Sequence, residues 1–255
     1  PLSKSGRTNW LRPLLIITGL WAFSFLAGAQ PSVLRSALMF TFIVLGESLS
    51  RKTSVYNSMA ASAFLLLCID PFWLWDIGFQ LSYAAVMSII IFMRPVYNWI
   101  YCKNKVLDMA WKMNAVTLAA QVLTLPLCIY HFHQFPSYFL LTNFLAVPLS
   151  SMILLTEIFL CAISFFPAAA GLTGQFISMA IGWMNRFVEN TESLPGSVWE
   201  GLQLSVLQVI FLILFIAGCS YWLMEREKKG LVCGLMMLLG FLALRSFSFV
   251  QRGRQ

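Results

Sequence analysis

Long apolar runs follow one another along this chain with almost no charge inside them, and that arrangement constrains the fold more than any single motif. Runs near residues 13–29, 33–50, 54–69, 77–93, 113–130, 138–166, 172–188, 204–223 and 231–248 leave only short connections. Most reach the roughly 17–25 residues that a helix needs to cross a bilayer; the third is short and the seventh is the weakest. Only 11% of the residues are charged and 59% are hydrophobic, whereas a water-soluble domain carries about 25% charge. Half that charge does not cover a water-facing surface, so the outer surface faces lipid. In hydrocarbon the backbone must satisfy its own hydrogen bonds, which dictates helices. The runs are continuously apolar rather than alternating, which argues against a membrane β-barrel. The expected fold is therefore all-α, a polytopic transmembrane helical bundle of about eight or nine spans with broken or amphipathic helices among them. Pro148 interrupts the longest run and predicts a kink or a broken helix there.

Charge gives an orientation. With nine crossings and the N-terminus inside, the cytoplasmic loops hold Lys4, Arg7, Arg12, Arg51, Lys52, Arg94, Lys103, Lys105, Lys112, Arg226, Lys228 and Lys229. The opposite side holds only Arg252 and Arg254. That asymmetry follows the excess of Lys and Arg in cytoplasmic loops and accounts for the net charge of +7. Were segment 172–188 to lie flat in the interface, Arg226, Lys228 and Lys229 would move outside. Lys4, Arg7 and Arg12, the run that follows and Ala27-Gly28-Ala29 mimic a secretory signal. A first span is the better reading, because further apolar segments follow at once. The chain opens on Pro1 rather than Met, so it is expected to belong to a longer protein. Phe72, Trp73 and Trp75 sit between the third and fourth runs, as interfacial anchors do.

Polar groups inside such runs are expensive and point to function. Asn114, Thr117, Gln121 and Thr124 fall on one helical stripe, which either lines a wet path or ties two helices together. Gln175, Ser178, Gly182, Asn185, Arg186 and Glu189 share a face of the seventh segment. That segment is either pore-facing or an amphipathic helix in the interface. Arg35 opens the second run and Glu47 closes it, about 18 Å apart along a helix, so each needs another partner or water. Asp76 precedes the fourth run, as a helix cap or a functional acid, and Gln80 lies one turn on. Glu157 is either a proton or cation site or a structural acid. His131 and His133 make an incomplete metal site, and the six cysteines show no ligand spacing. No metal, cofactor, nucleophile–base pair or ATP-binding loop is read from the sequence, and the chain is expected not to be an enzyme.

Four stretches then resemble a known family. They are Gln30-Pro31-Ser32-Val33-Leu34-Arg35-Ser36-Ala37; Asp70-Pro71 with Asp76-Ile77-Gly78-Phe79-Gln80-Leu81-Ser82-Tyr83-Ala84-Ala85-Val86; Leu125-Pro126-Leu127 with Tyr130-His131-Phe132; and Asn143-Phe144-Leu145-Ala146-Val147-Pro148-Leu149. In that order they are similar to the membrane-channel part of the ComEC-type DNA-uptake proteins of natural competence, over roughly residues 28–150. The family's Ser-Gly-Leu-His stretch and its flanking soluble domains are not found here. The resemblance implies that residues 1–255 are a transmembrane competence domain, a multi-pass channel in the bacterial inner membrane that passes single-stranded DNA into the cytoplasm. It implies single-stranded DNA, membrane lipids, other competence proteins and a cytoplasmic motor as partners. Carried over by position, Arg35, Asp76, Gly78, Gln80, Asn143 and Pro148 come first; Asn114, Gln121, Thr124 and Arg186 join Arg35, Asp76, Gln80 and Asn143 as the expected channel path. Two alternatives stay open on the residues alone. One is an ion-coupled small-solute transporter using Glu157 or Asp76, the other an assembly subunit whose polar stripes hold helices together.

Overall fold

The computed structural model describes residues 10–48, 54–225 and 227–252. Among them it forms nine α-helices: α1 Leu11–Leu26, α2 Pro31–Ser48, α3 Val55–Ile69, α4 Ile77–Tyr97, α5 Lys105–Phe132, α6 Phe139–Ile163, α7 Pro167–Glu192, α8 Val206–Glu225 and α9 Lys228–Arg252. A 3-10 turn, Pro71–Trp75, precedes α4, and two short strands, β1 Phe135–Pro136 and β2 Val198–Trp199, pair antiparallel. Each helix coincides with one apolar run. Lys4, Arg7, Arg51, Lys52, Arg226 and Arg254, which carry much of the orientation argument, lie outside the described residues.

Among the described residues five helices are long and apolar enough to cross a membrane: α4, α5, α6, α8 and α9. Along α6 Ile153 is buried, while Leu155, Ile158 and Phe159 stand exposed. An exposed apolar surface of that kind suits lipid or a protein partner rather than water. α1 and α3 are apolar but shorter, and α7 is the amphipathic member, its polar face at Gln175, Ser178, Gly182, Asn185, Arg186 and Glu189 exposed. Pro148 does not end α6, which continues as one α-helix from Phe139 to Ile163. The ring removes one N–H from the ladder, and just beyond it the hydroxyls of Ser150 and Ser151 turn back to donate to the Val147 carbonyl.

The chain divides into two compact units, Pro1–Ala84 and Ala85–Gln255. In the first, α2 packs against both α1 and α3. The contacts use small residues, with Ser24, Ala37, Gly46, Ser58 and Ser62 all buried, because small side chains let membrane helices approach closely. The Trp21 indole N–H donates to Thr41 Oγ1 at 3.2 Å. Gly28, with φ +80°, turns the chain between α1 and α2 in a conformation that favours glycine.

In the second unit Phe92, Val96, Ala115, Ala119 and Ile216 form the buried core where α4, α5 and α8 meet. Ser88 of α4 is fully buried and reaches into the α5 ladder: its hydroxyl donates to the Ala119 carbonyl and accepts from the Leu123 N–H. Those are the two groups that an uninterrupted helix pairs with each other. Pro126 removes another N–H one turn on. α6 packs on α7, and α8 on α9. β1 and β2 join the α5–α6 and α7–α8 connections, pairing Phe135 with Trp199 and Pro136 with Val198.

Candidate polar sites in the membrane helices

In the first unit the polar residues gather around Arg35. It sits on α2, and among the described residues all of its partners are neutral. Its Nε–H donates to Ser82 Oγ on α4, and one terminal nitrogen donates to Ser36 Oγ at 3.3 Å. The other terminal nitrogen lies 3.4 Å from Met39 Sδ, a weak acceptor. The guanidinium carbon stands 5.6 Å from the centroid of the Tyr83 ring, within cation–π range. Tyr83 is itself fixed, its hydroxyl 2.9 Å from Ser62 Oγ and its ring 4.6 Å from that of Phe79. A partly buried cation without a carboxylate has donors to spare, and an anion is the ligand that would satisfy them.

Asp76 and Gln80 take up backbone duties. The Asp76 carboxylate accepts from the Phe79 N–H at 2.7 Å and so caps α4. The Gln80 amide donates to the Leu74 carbonyl at 2.9 Å, holding the 3-10 turn against the helix start. Asp70 Oδ1 accepts from the Phe72 N–H at 2.9 Å and fixes the other end of that turn. Gly78 belongs to the same device, since a Cβ there would lie 3.1 Å from Asp76 Oδ1. The tied turn leaves Phe72 and Trp75 exposed, in keeping with interfacial anchoring.

In the second unit three residues of the α5 stripe bond back to their own helix: Asn114 donates to the Ala110 carbonyl, Thr117 to Met113 and Thr124 to Ala120. Thr124 is buried. Gln121 differs: its amide makes no hydrogen bond to a described residue and lines a cleft of about 440 Å³ between α5 and α6. Asn143, from α6, lines the same cleft and is likewise without a hydrogen-bond partner among the described residues. Asn143 also lines a second cleft of about 270 Å³, formed by α6, α7 and the β1–β2 ribbon, with Thr191 and Glu192. Both residues are half-buried, so their amides stay open to water or to a ligand that enters the cleft. Arg186 lies apart, exposed on α7 and in neither cleft.

Sequence reasoning thus singled out Arg35, Gln121 and Asn143, but not Ser82, Tyr83 and Ser62, which hold Arg35 in place. Ser82 and Tyr83 lie within a stretch that carries the family resemblance, and Ser62 is a hydroxyl in an otherwise apolar segment. Sequence reasoning also passed over Ser88. His131 lies in the last helical turn of α5, and His133 follows it with φ +57°. No group of three metal-ligating side chains occurs among the described residues.

Among the described residues five helices long and apolar enough to cross a membrane, exposed apolar flanks and polar groups held between helices mark a multi-pass membrane protein. Within that class the chain belongs to the Competence protein family, whose profile matches residues 2–226. It is 27% identical, over 247 residues, to the ComE operon protein 3 of Bacillus subtilis (strain 168). The match takes in 92% of this chain and 30% of that relative, so the chain spans under a third of the relative's length. No solved structure matches the chain.

Proposed function

We propose that residues 1–255 form a transmembrane channel domain that passes one strand of incoming DNA across the bacterial inner membrane into the cytoplasm during natural transformation. The observation that carries this reading is Arg35, a partly buried guanidinium oriented by Ser82 and Tyr83 with no carboxylate partner among the described residues. A protein that moves a polyanion through a low-dielectric region needs fixed cations with unspent donors, and arginine suits phosphate because its charge is permanent and its donors are planar. Membership of the Competence protein family supports the same cargo. The role is transport rather than catalysis, with energy supplied by a partner or a gradient. Other competence proteins and a cytoplasmic motor that draws in the strand are the partners this reading calls for.

The test is entry of labelled DNA in cells from which the gene encoding this chain is deleted and then restored. The channel reading expects deletion to stop entry into the cytoplasm while DNA still binds outside, and restoration to rescue it. Unimpaired entry in the deletion strain would refute it.

A further inference from the structure

The two unpartnered amides of the second unit face a cleft with no charge in its lining. Around Gln121 and Asn143 stand Met113, Val116, Thr117 and Val147, and the Thr117 hydroxyl is already donated to the Met113 carbonyl. The second cleft that Asn143 lines carries Glu192 and no cation. Neither is a place for a phosphate, which needs positive charge or converging N–H donors. What the α5–α6 cleft offers is a donor and an acceptor on each of two amides, framed by apolar walls. Its volume of about 440 Å³ lies in the roughly 300–1,000 Å³ range of small-ligand sites. A nucleobase has the complementary form, with flat apolar faces and a donor–acceptor edge, and Asn or Gln side chains pair in bidentate fashion with such edges.

We propose that the cleft between α5 and α6 receives nucleobase edges, with Gln121 and Asn143 as the contacting groups, and that it makes no phosphate contact. The proposal rests on the DNA-channel reading and divides the labour in it: Arg35 meets the backbone, and the two amides meet the bases. Thr117, its hydroxyl spent on its own helix, takes no part.

The test uses the purified protein in lipid nanodiscs, titrated with a fluorescent oligodeoxyadenylate and with an abasic oligonucleotide of the same length. Wild type is expected to bind the base-bearing strand about tenfold more tightly. Replacing Gln121→Leu together with Asn143→Leu removes that preference and leaves affinity for the abasic strand unchanged. Thr117→Val keeps the preference, and Arg35→Gln weakens both strands alike. Equal affinity of wild type for the two strands overturns the base-edge assignment and leaves the DNA reading standing. So does a preference that survives the double substitution. Binding of neither strand by wild type overturns both. The wild-type ratio needs no substitution, so a variant that fails to fold does not shield the proposal.

Discussion

Replacing Gly218→Ala adds one methyl group to α8, and its cost follows from where that carbon lands. It would lie 2.8 Å from Gly234 Cα and N and 3.0 Å from the Gly230 carbonyl oxygen, all of them backbone atoms of α9. Backbone cannot rotate away as a side chain can. To reach an ordinary contact of at least 3.4 Å the helices must part by about 0.6 Å (3.4 − 2.8), along an interface where glycine meets glycine. Overpacking of this kind costs roughly 1–3 kcal/mol, against a gain of about 1 kcal/mol from alanine's better helix propensity. The net expectation is a loss of up to about 2 kcal/mol, and a larger one for Gly218→Val. Gly174, on α7, has nothing within 4 Å of its virtual Cβ. There the same substitution carries only the propensity term and stabilises by up to about 1 kcal/mol. Reversible unfolding of the detergent-solubilised protein measures both. A Gly218→Ala protein as stable as Gly174→Ala would show that the α8–α9 contact is not close-packed, and the reasoning would fail.

Three further outcomes follow from hydrogen bonds and packing. Tyr83→Phe keeps the ring beside Arg35 and loses only the contact to Ser62, so DNA entry should stay near wild type. Tyr83→Leu removes the ring and should lower entry by several-fold, on the scale of about 0.5–2 kcal/mol for a cation–π contact; equal entry by the two variants would deny the ring a role. Ser88→Ala leaves the α5 ladder to close on itself or to go unsatisfied. It should destabilise by about 1–3 kcal/mol in the same unfolding assay, and an unchanged midpoint would show the inserted hydroxyl to be dispensable. Asp76→Ala removes the α4 cap and should cost about 0.5–2 kcal/mol of stability. Asp76→Asn, which keeps an acceptor, should cost much less and retain DNA entry; a transport defect in Asp76→Asn at normal stability would make Asp76 a working acid instead.

The sequence located the helices because the apolar runs are long and bounded by polar or small residues, and every run became one helix. The cap at Asp76 was legible for a similar reason, an acid placed just before an apolar run. The fate of the polar residues was not. Asn114, Thr117, Gln121 and Thr124 share a stripe by spacing alone, yet three bond back to carbonyls one turn earlier in their helix, and Gln121 alone of the four faces the cleft with its amide unspent on a described residue. Its companion Asn143 comes from the next helix, a pairing set by tertiary packing that no local pattern records. Ser88 looks like any serine in an apolar helix, and only the approach of α5 makes it part of another helix's ladder. Of the kink or break expected at Pro148, the break does not occur, since a proline inside a membrane helix removes one bond without ending the helix. The β1–β2 ribbon, two residues on each side, is too short for alternation to show. One signal was present and passed over: Ser205 and Gln208 form a reciprocal capping box at the start of α8, Ser205 N–H donating to Gln208 Oε1 at 3.0 Å and Gln208 N–H to Ser205 Oγ at 3.4 Å.

In the proposed channel the guanidinium of Arg35, without a carboxylate partner among the described residues, meets the phosphate backbone of a passing strand. The most direct measurement of that contact is cytoplasmic entry of labelled DNA in cells producing Arg35→Gln, with protein level and externally bound DNA held equal to wild type. Entry is expected to fall by at least about tenfold, and Arg35→Lys, which keeps the charge but not the planar fork, to recover only part of it. Wild-type entry in Arg35→Gln cells would show that Arg35 does not meet the strand.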